Sequence, residues 1–225
     1  MTGPALPLSI PGEIYELTSE LPGSMLGLEF QAACERLDRF VGVLAAELAA
    51  VLKLPTSAVD LASLVQERGW RQEGALALAW LLETLESYGA ARRDGARWWW
   101  SGAQPAVAAA ELRDEALAIN PATAPAYQAL ELSARSLPAI LRGEISGEEA
   151  LFGPASLGMW FSYFSNSNPH YALNNTLAAL AIERVTAPGA SLFEAGGGGG
   201  SAAEAVLRQL VEAGRAPARY AFTEL

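Results

Sequence analysis

The chain has 225 residues, of which 51% are hydrophobic and 18% charged, so it can bury a real core and form one or two domains. Acids exceed bases in both halves, 13 to 8 over residues 1–110 and 12 to 7 thereafter, giving a net charge of −10 that disfavours phosphate-rich partners such as nucleic acid. One cysteine, Cys34, and one histidine, His170, exclude a disulfide framework and a cysteine-based zinc site, and leave no metal cluster.

The segment Met1–Gly12 lacks a basic start and is broken by prolines, so it does not read as a signal peptide. No charge-free stretch of about twenty apolar residues occurs. A cytoplasmic protein with no membrane partner is expected. Phe30, Cys34, Leu37, Val41, Leu44, Leu48 and Val51 then recur in steps of four and three along one predicted helix. This seam meets either a helix of its own chain or a second subunit, which leaves a homodimer through the N-terminal helices open. Cys34 on it reads as a small buried apolar group rather than a nucleophile.

Residues 55–101 read as a winged helix. Ser57 with Asp60 starts a short helix with Leu61, Leu64 and Val65 inward, and Gly69 ends it. A second helix runs from about Gln72 to Tyr88 with Leu78, Leu82 and Leu85 as its apolar side. A hairpin follows through Trp98–Trp100, turning at Asp94-Gly95. Such a module can read DNA, but its second helix carries Glu73, Glu83 and Glu86 and no base after Arg71, a face that repels phosphates. Arg92, Arg93 and Arg97 then serve as a solvated wing. Alternate facing puts at least one tryptophan ring on the core and leaves another for a partner.

A helical connector comes next. Asn120-Pro121 marks a turn, and Thr123 with Pro125 starts a helix through Leu132. Loop-rich sequence around Gly153-Pro154 and Ser165–Pro169 leads to a helix from His170 to about Val185. Trp160, Phe161, Tyr163, Phe164 and Tyr171 gather here, either as core packing or as ligand contacts. His170 is weighed as a base against an exposed residue at a helix start, and no catalytic residue is assigned.

Five consecutive glycines, Gly196–Gly200, carry the most information. With Ser201 they have the composition of a flexible linker. The flanks decide otherwise: Ser191–Ala195 is a strand, and Ala202–Ala213 is a helix with Leu207, Leu210 and Val211 as its stripe, stopped by Gly214. Arg219–Thr223 is a second strand ending at Glu224. Glycines at alternate positions let backbone approach a ligand, a helix N-terminus offers free N–H groups, and a strand-end carboxylate can hold ribose hydroxyls.

The dinucleotide fingerprint started at Gly196 finds Gly198 in place but Ser201 where its third glycine should stand. Glu194 followed by Gly196, Gly198 and Gly200 instead resembles motif I of class I S-adenosylmethionine-dependent methyltransferases. The order Leu137–Glu144, Glu149–Phe152, Tyr171, Asn174-Asn175, motif I and Tyr220–Leu225 resembles polyketide synthase methyltransferase domains. The loop form Gly197–Ala203 is most similar to those of loading modules, some of which carry a catalytic iron. The resemblance implies S-adenosylmethionine as cofactor, held by Glu194, Gly196, Gly198, Gly200, Glu224, Tyr171 and Asn175. Glu194 could also be a strand-end acid bonded to loop amides. Any metal would be bound by residues beyond this chain. The substrate implied is an acyl group on an acyl carrier protein, methylated at carbon. Small-molecule O-methyltransferases carry a similar winged helix for dimerisation and substrate covering.

The expected fold is mainly α: a winged-helix-like domain over 1–104, a helical connector or lid over 105–188, and the first β-α-β of a Rossmann-like methyltransferase core over 189–225. On this reading the chain is the N-terminal part of a larger enzyme and inactive alone. The alternatives are a non-catalytic assembly or dimerisation module and a small-molecule O-methyltransferase fragment.

Overall fold

The computed structural model describes residues 16–224, so Met1–Gly12 and Leu225 lie outside the described residues. The chain is mostly helical and divides into two compact units. Among the described residues, one unit holds 35–121 and 127–159, and the other 16–34, 122–126 and 160–224. Among the same residues no helix is long and apolar enough to cross a membrane.

The first unit is built on α1 (Leu28–Val51), whose later half presents Ala45, Ala46 and Ala49 as a small-residue face. Small side chains let neighbours approach closely, and this face joins a core with Leu64, Val65, Leu78, Leu82 and Leu85. These leucines and Val65 come from α2 (Leu61–Glu67) and α3 (Gly74–Ser87). Asp60 itself caps α2, accepting a hydrogen bond from the Ser63 amide at 3.0 Å. Ser57 therefore does not cap, because the intervening β1 (Val59–Asp60) places Asp60 at the helix start. That strand joins β2 (Ala91–Asp94) and β3 (Arg97–Trp100) in an antiparallel sheet of order β1-β3-β2. Alternation along β3 buries Trp98 and Trp100, while Trp99 lies half-buried under the Arg92 guanidinium, 4.7 Å from its ring centre. Arg93 lies over Trp98 at 5.2 Å.

α4 (Ala109–Ile119), unforeseen in the sequence, adds Leu112 and Ala116 to a cluster around Phe40 and Tyr127. α5 (Ala124–Arg142) runs ten residues past the expected end at Leu132 and through Pro138. A proline inside a helix normally costs about 3 kcal/mol. Here Leu141 is fully buried and its carbonyl accepts the Arg71 amide at 2.8 Å, so the last turn is held by tertiary packing. The predicted seam of α1 is also adjusted. Phe40 and the alanines are its buried positions, whereas Phe30 to Leu48 of the seam are half-buried and Val51 is exposed. α6 (Gly147–Phe152), capped by Ser146, precedes the stretch read as loop-rich, and α7 (Leu157–Tyr163) lies within it.

The second unit centres on α8 (Pro169–Val185) and α9 (Ser201–Glu212), packed through Ala179, Ala205, Val206 and Leu210 against Leu192 and Tyr220. Leu192 lies on β4 (Ser191–Ala195) and Tyr220 on β5 (Arg219–Thr223), a parallel pair in register from Ser191–Arg219 to Ala195–Thr223. The buried stripe of α9 is Ala203, Val206 and Leu210, not Leu207, Leu210 and Val211, because Val211 points to solvent. Leu17, Leu21 and Leu180 form a smaller cluster, beside which Arg184 pairs with Glu16 and Glu20.

Gly42 shows how closely α1 and α3 meet. A Cβ there would lie 2.8 Å from the Tyr88 ring, whose hydroxyl donates to the Asp38 backbone and side-chain oxygens at 2.6 Å. Alanine should favour a helix over glycine by about 1 kcal/mol, but overpacking should reverse the sign, so Gly42→Ala is expected to cost about 1–3 kcal/mol in thermal unfolding. In a Tyr88→Ala background the same change should be neutral or stabilising.

Candidate functional site

The glycine run sits at the C-terminal ends of β4 and β5. Gly196, Gly198 and Gly200 have φ of 70°, 52° and 78°, the left-handed region that side chains disfavour, and no atom lies within 4 Å of where their Cβ would stand. The two glycines between them face inward. A Cβ on Gly197 would meet the Phe222 ring at 2.7 Å, and one on Gly199 the Phe161 ring at 3.3 Å. Three glycines are thus required by conformation and Gly197 by space. The result is a strip of backbone with its open side bare of side chains.

Hydrogen bonds hold the strip. Gly197 N–H donates to the Thr223 carbonyl at 2.8 Å, and Gly200 N–H closes a turn onto the Gly197 carbonyl at 2.9 Å. Glu224, exposed at the end of β5, accepts the Gly198 amide at 2.5 Å. Glu194, half-buried on β4, accepts the Tyr220 hydroxyl at 2.7 Å. Its partner is therefore a phenol on the adjacent strand and not a loop amide. Burial first, and then the Glu194 hydrogen bond and charge, push the Tyr220 hydroxyl up to about 12.

Beside the strip lies a groove of about 420 Å³. Phe161, Phe164, Ser165, Asn166 and Ser167 form one wall, and Gly199, Gly200, Ser201, Glu204 and Arg208 the other. Asn175 is buried beneath it, its amide donating to Asn166 Oδ1 at 2.8 Å and Ser201 Oγ at 3.1 Å. Tyr171 stands in an aromatic cluster, its ring 5.2 Å from Phe164 and 6.0 Å from Tyr163. Trp160 stacks on Phe164 at 5.5 Å in the same cluster. The structure thus brings the glycines and Glu224 into one strip, ties Asn175 to the helix start, sets Glu194 behind the sheet with Tyr220, and leaves Tyr171 among the aromatics.

His170 is not an exposed helix-start residue. Both ring nitrogens are buried, the Phe30 ring lies 6.0 Å away, and burial lowers its pKa against a weaker opposing influence from the Ala33 backbone. Sequence reasoning missed Asn166 and Glu204, which line the groove and bond each other at 2.8 Å. The only signal was the asparagine and serine run at 165–168, which reads locally as a turn.

No three or more metal-ligating side chains cluster among the described residues. A cofactor with a ribose and an amino-acid moiety fits the strip: the bare Cα atoms admit close approach, and Glu224 places a carboxylate at the strand end where hydroxyls would lie. Between about pH 10, where an unfolded tyrosine ionises, and pH 12, the contribution of the Tyr220–Glu194 bond to stability should be progressively lost, being complete below that window. Ultraviolet titration should show one fewer late-ionising phenol in Tyr220→Phe than in the unaltered protein, and Glu194→Gln should lower the ionisation of Tyr220.

No model of a known protein family matches the chain, and no curated protein matches its sequence. Solved structures do. The CurJ carbon methyltransferase aligns over 95% of this chain and 57% of its own, with 20% identity and a TM-score of 0.69. The DszA carbon methyltransferase covers 98% of this chain and 55% of its own, at 20% identity and 0.63. The CMeT domain of the citrinin polyketide synthase covers 100% and 62%, at 16% identity and 0.69. The chain therefore spans between half and two thirds of the length of these structures. Across that span it has the fold of a carbon methyltransferase, as seen in a polyketide synthase CMeT domain.

Proposed function

We propose that this chain is the N-terminal part of an S-adenosylmethionine-dependent carbon methyltransferase of polyketide biosynthesis. The observation that carries this reading is the glycine strip, where three left-handed glycines face open space at the ends of two parallel strands beside Glu224. The likeness to carbon methyltransferases supports it. On this reading Gly196, Gly198 and Gly200 admit the cofactor to the backbone, and the start of α9 offers amide N–H groups to its carboxylate. Glu224 trades its bond with Gly198 for ribose hydroxyls. Glu194 acts from behind by fixing β4 against β5 through Tyr220, and Asn175 by fixing the start of α9. Tyr171 holds the aromatic wall. S-adenosylmethionine supplies an electrophilic methyl group when bound, and the chain's part is to orient it and keep water from it.

The acceptor in this reading is an acyl carbon on an acyl carrier protein, in a cytoplasmic setting and without nucleic acid. The sheet β1-β3-β2 with α2 and α3 serves as a winged-helix-like module. A second reading, an assembly or dimerisation module, is favoured by Leu76 and Trp80, both exposed on α3. The two separate on ligand binding.

Calorimetry with S-adenosylhomocysteine should show binding that Gly198→Asp abolishes. Asp tolerates left-handed backbone better than most residues and its Cβ would meet no atom within 4 Å, so the fold should survive while the ligand is blocked. Glu224→Ala should weaken binding by about tenfold or more, the size of one hydrogen bond to a charged group. Affinity unchanged by Gly198→Asp would overturn the role of the strip. In the full-length protein, mass spectrometry should detect gain of one methylene on a carrier-bound acyl thioester. Modification of nitrogen or oxygen instead would overturn the carbon assignment.

A further inference from the structure

We propose that Asn166 is a positioning residue, a pin that sets the width of the cofactor groove by joining its two walls. The proposal rests on the cofactor reading above and extends it to a residue outside the glycine strip.

Asn166 belongs to the segment between α7 and α8, which forms one wall with Phe161, Phe164, Ser165 and Ser167. Its side-chain amide donates twice across the groove, to the Ser201 carbonyl at 2.8 Å and to Glu204 Oε2 at 2.8 Å. Its oxygen accepts the Asn175 amide at 2.8 Å, and the second Asn175 proton goes to Ser201 Oγ at 3.1 Å. Both protons of each amide are therefore used, and rotating the Asn166 amide by half a turn would set its oxygen against a carbonyl and a carboxylate. All the bonded groups on the far wall lie in the first turn of α9, directly after Gly200. The near wall is secured at its other end, where buried Asn168 caps α8 and donates to the Tyr163 carbonyl at 2.8 Å. A segment fastened at Asn168 and pinned at Asn166 has little freedom to swing, and that freedom would move the Phe161 ring off Gly199.

Aspartate at this position cannot donate. Asn166→Asp would keep the shape and the bond from Asn175, but it would face the Ser201 carbonyl and the Glu204 carboxylate with a second negative charge. Arg208, the other charged residue of the groove, offsets part of this repulsion from one turn further along α9. The effect should be repaired by Glu204→Gln, whose amide can donate to the carboxylate that Asn166→Asp introduces. Glu204→Gln alone keeps an oxygen that can accept from Asn166, and its own affinity is the reference against which the repair is read. This pattern of loss and repair is specific to a bond across the groove.

The test is calorimetric binding of S-adenosylhomocysteine to the full-length protein, with thermal melting of each variant alongside. Asn166→Asp should lose about tenfold or more in affinity with a near-unchanged melting temperature, and Asn166→Asp with Glu204→Gln should recover most of it. Asn166→Ala should lie between, and hydrogen exchange should rise in it together at residues 165–168 and 199–204. Full affinity in both Asn166→Asp and Asn166→Ala would overturn the pin while leaving the cofactor reading intact. Loss of affinity in step with melting temperature and without repair by Glu204→Gln would reduce Asn166 to a general structural role, also against the proposal. If the unaltered protein does not bind S-adenosylhomocysteine, the cofactor reading fails, and coupled exchange of the two segments in Asn166→Ala then decides whether the pin exists as a purely mechanical link.

Discussion

The second unit is organised by steric demand along a single stretch of backbone. At Gly196, Gly198 and Gly200 the chain must turn through left-handed φ, at Gly197 it passes the Phe222 ring with no room for a Cβ, and at Gly199 it lies close to the Phe161 ring. A left-handed residue with a side chain costs roughly 1–2 kcal/mol, so three at alternate positions would remove much of the stability of a small domain. The two rings, Phe222 and Phe161, lie on β5 and α7, so the loop's shape is set by elements on either side of it. The strip then follows: bare backbone outward, aromatic support inward, and a helix start at one end.

The polar groups around the strip act mostly through one another. Tyr220 holds Glu194, Glu224 holds Gly198, and Asn166 and Asn175 converge on Ser201. Of these, the partly buried Glu194 and Asn166 and the buried Asn175 are held in place, because an unmade bond there costs more than a made one contributes. A site built this way presents fixed geometry to a ligand without needing the ligand to order it, which is the condition for orientation to assist group transfer. The first unit solves a different problem. Its alanine-faced helix and alternating tryptophans contribute to a close-packed apolar core, and the Arg92 and Arg93 guanidiniums lie over the Trp99 and Trp98 rings.

Local signals in the sequence had unequal reach. The hairpin, β4, β5 and the boundaries of α8 were legible because glycine, proline and asparagine punctuate them and because apolar residues alternate between. The continuation of α5 past Pro138 was not legible, since a proline ordinarily marks a helix end and only the burial of Leu141 against α3 outweighs it. The stripe of α9 was displaced by about one residue for a similar reason. Periodicity identifies an amphipathic helix, but which of two adjacent rows faces inward depends on where α8 and the sheet lie. His170 looked like an exposed helix start because capping residues precede it, whereas its neighbours in space, Phe30 and Ala33, are more than a hundred positions away in sequence.

Glycine spacing and the flanking strand and helix patterns determined, from the sequence alone, that a glycine turn joins a strand to a helix and where it lies. These are local properties, dictated by which backbone angles each residue can adopt. Tertiary structure alone decided which glycines face open space, that Glu194 is committed to Tyr220, and that Asn166 reaches Ser201 and Glu204 across a groove. Those outcomes depend on side chains 26 to 38 positions apart meeting in space, and no periodicity within either segment encodes such a meeting.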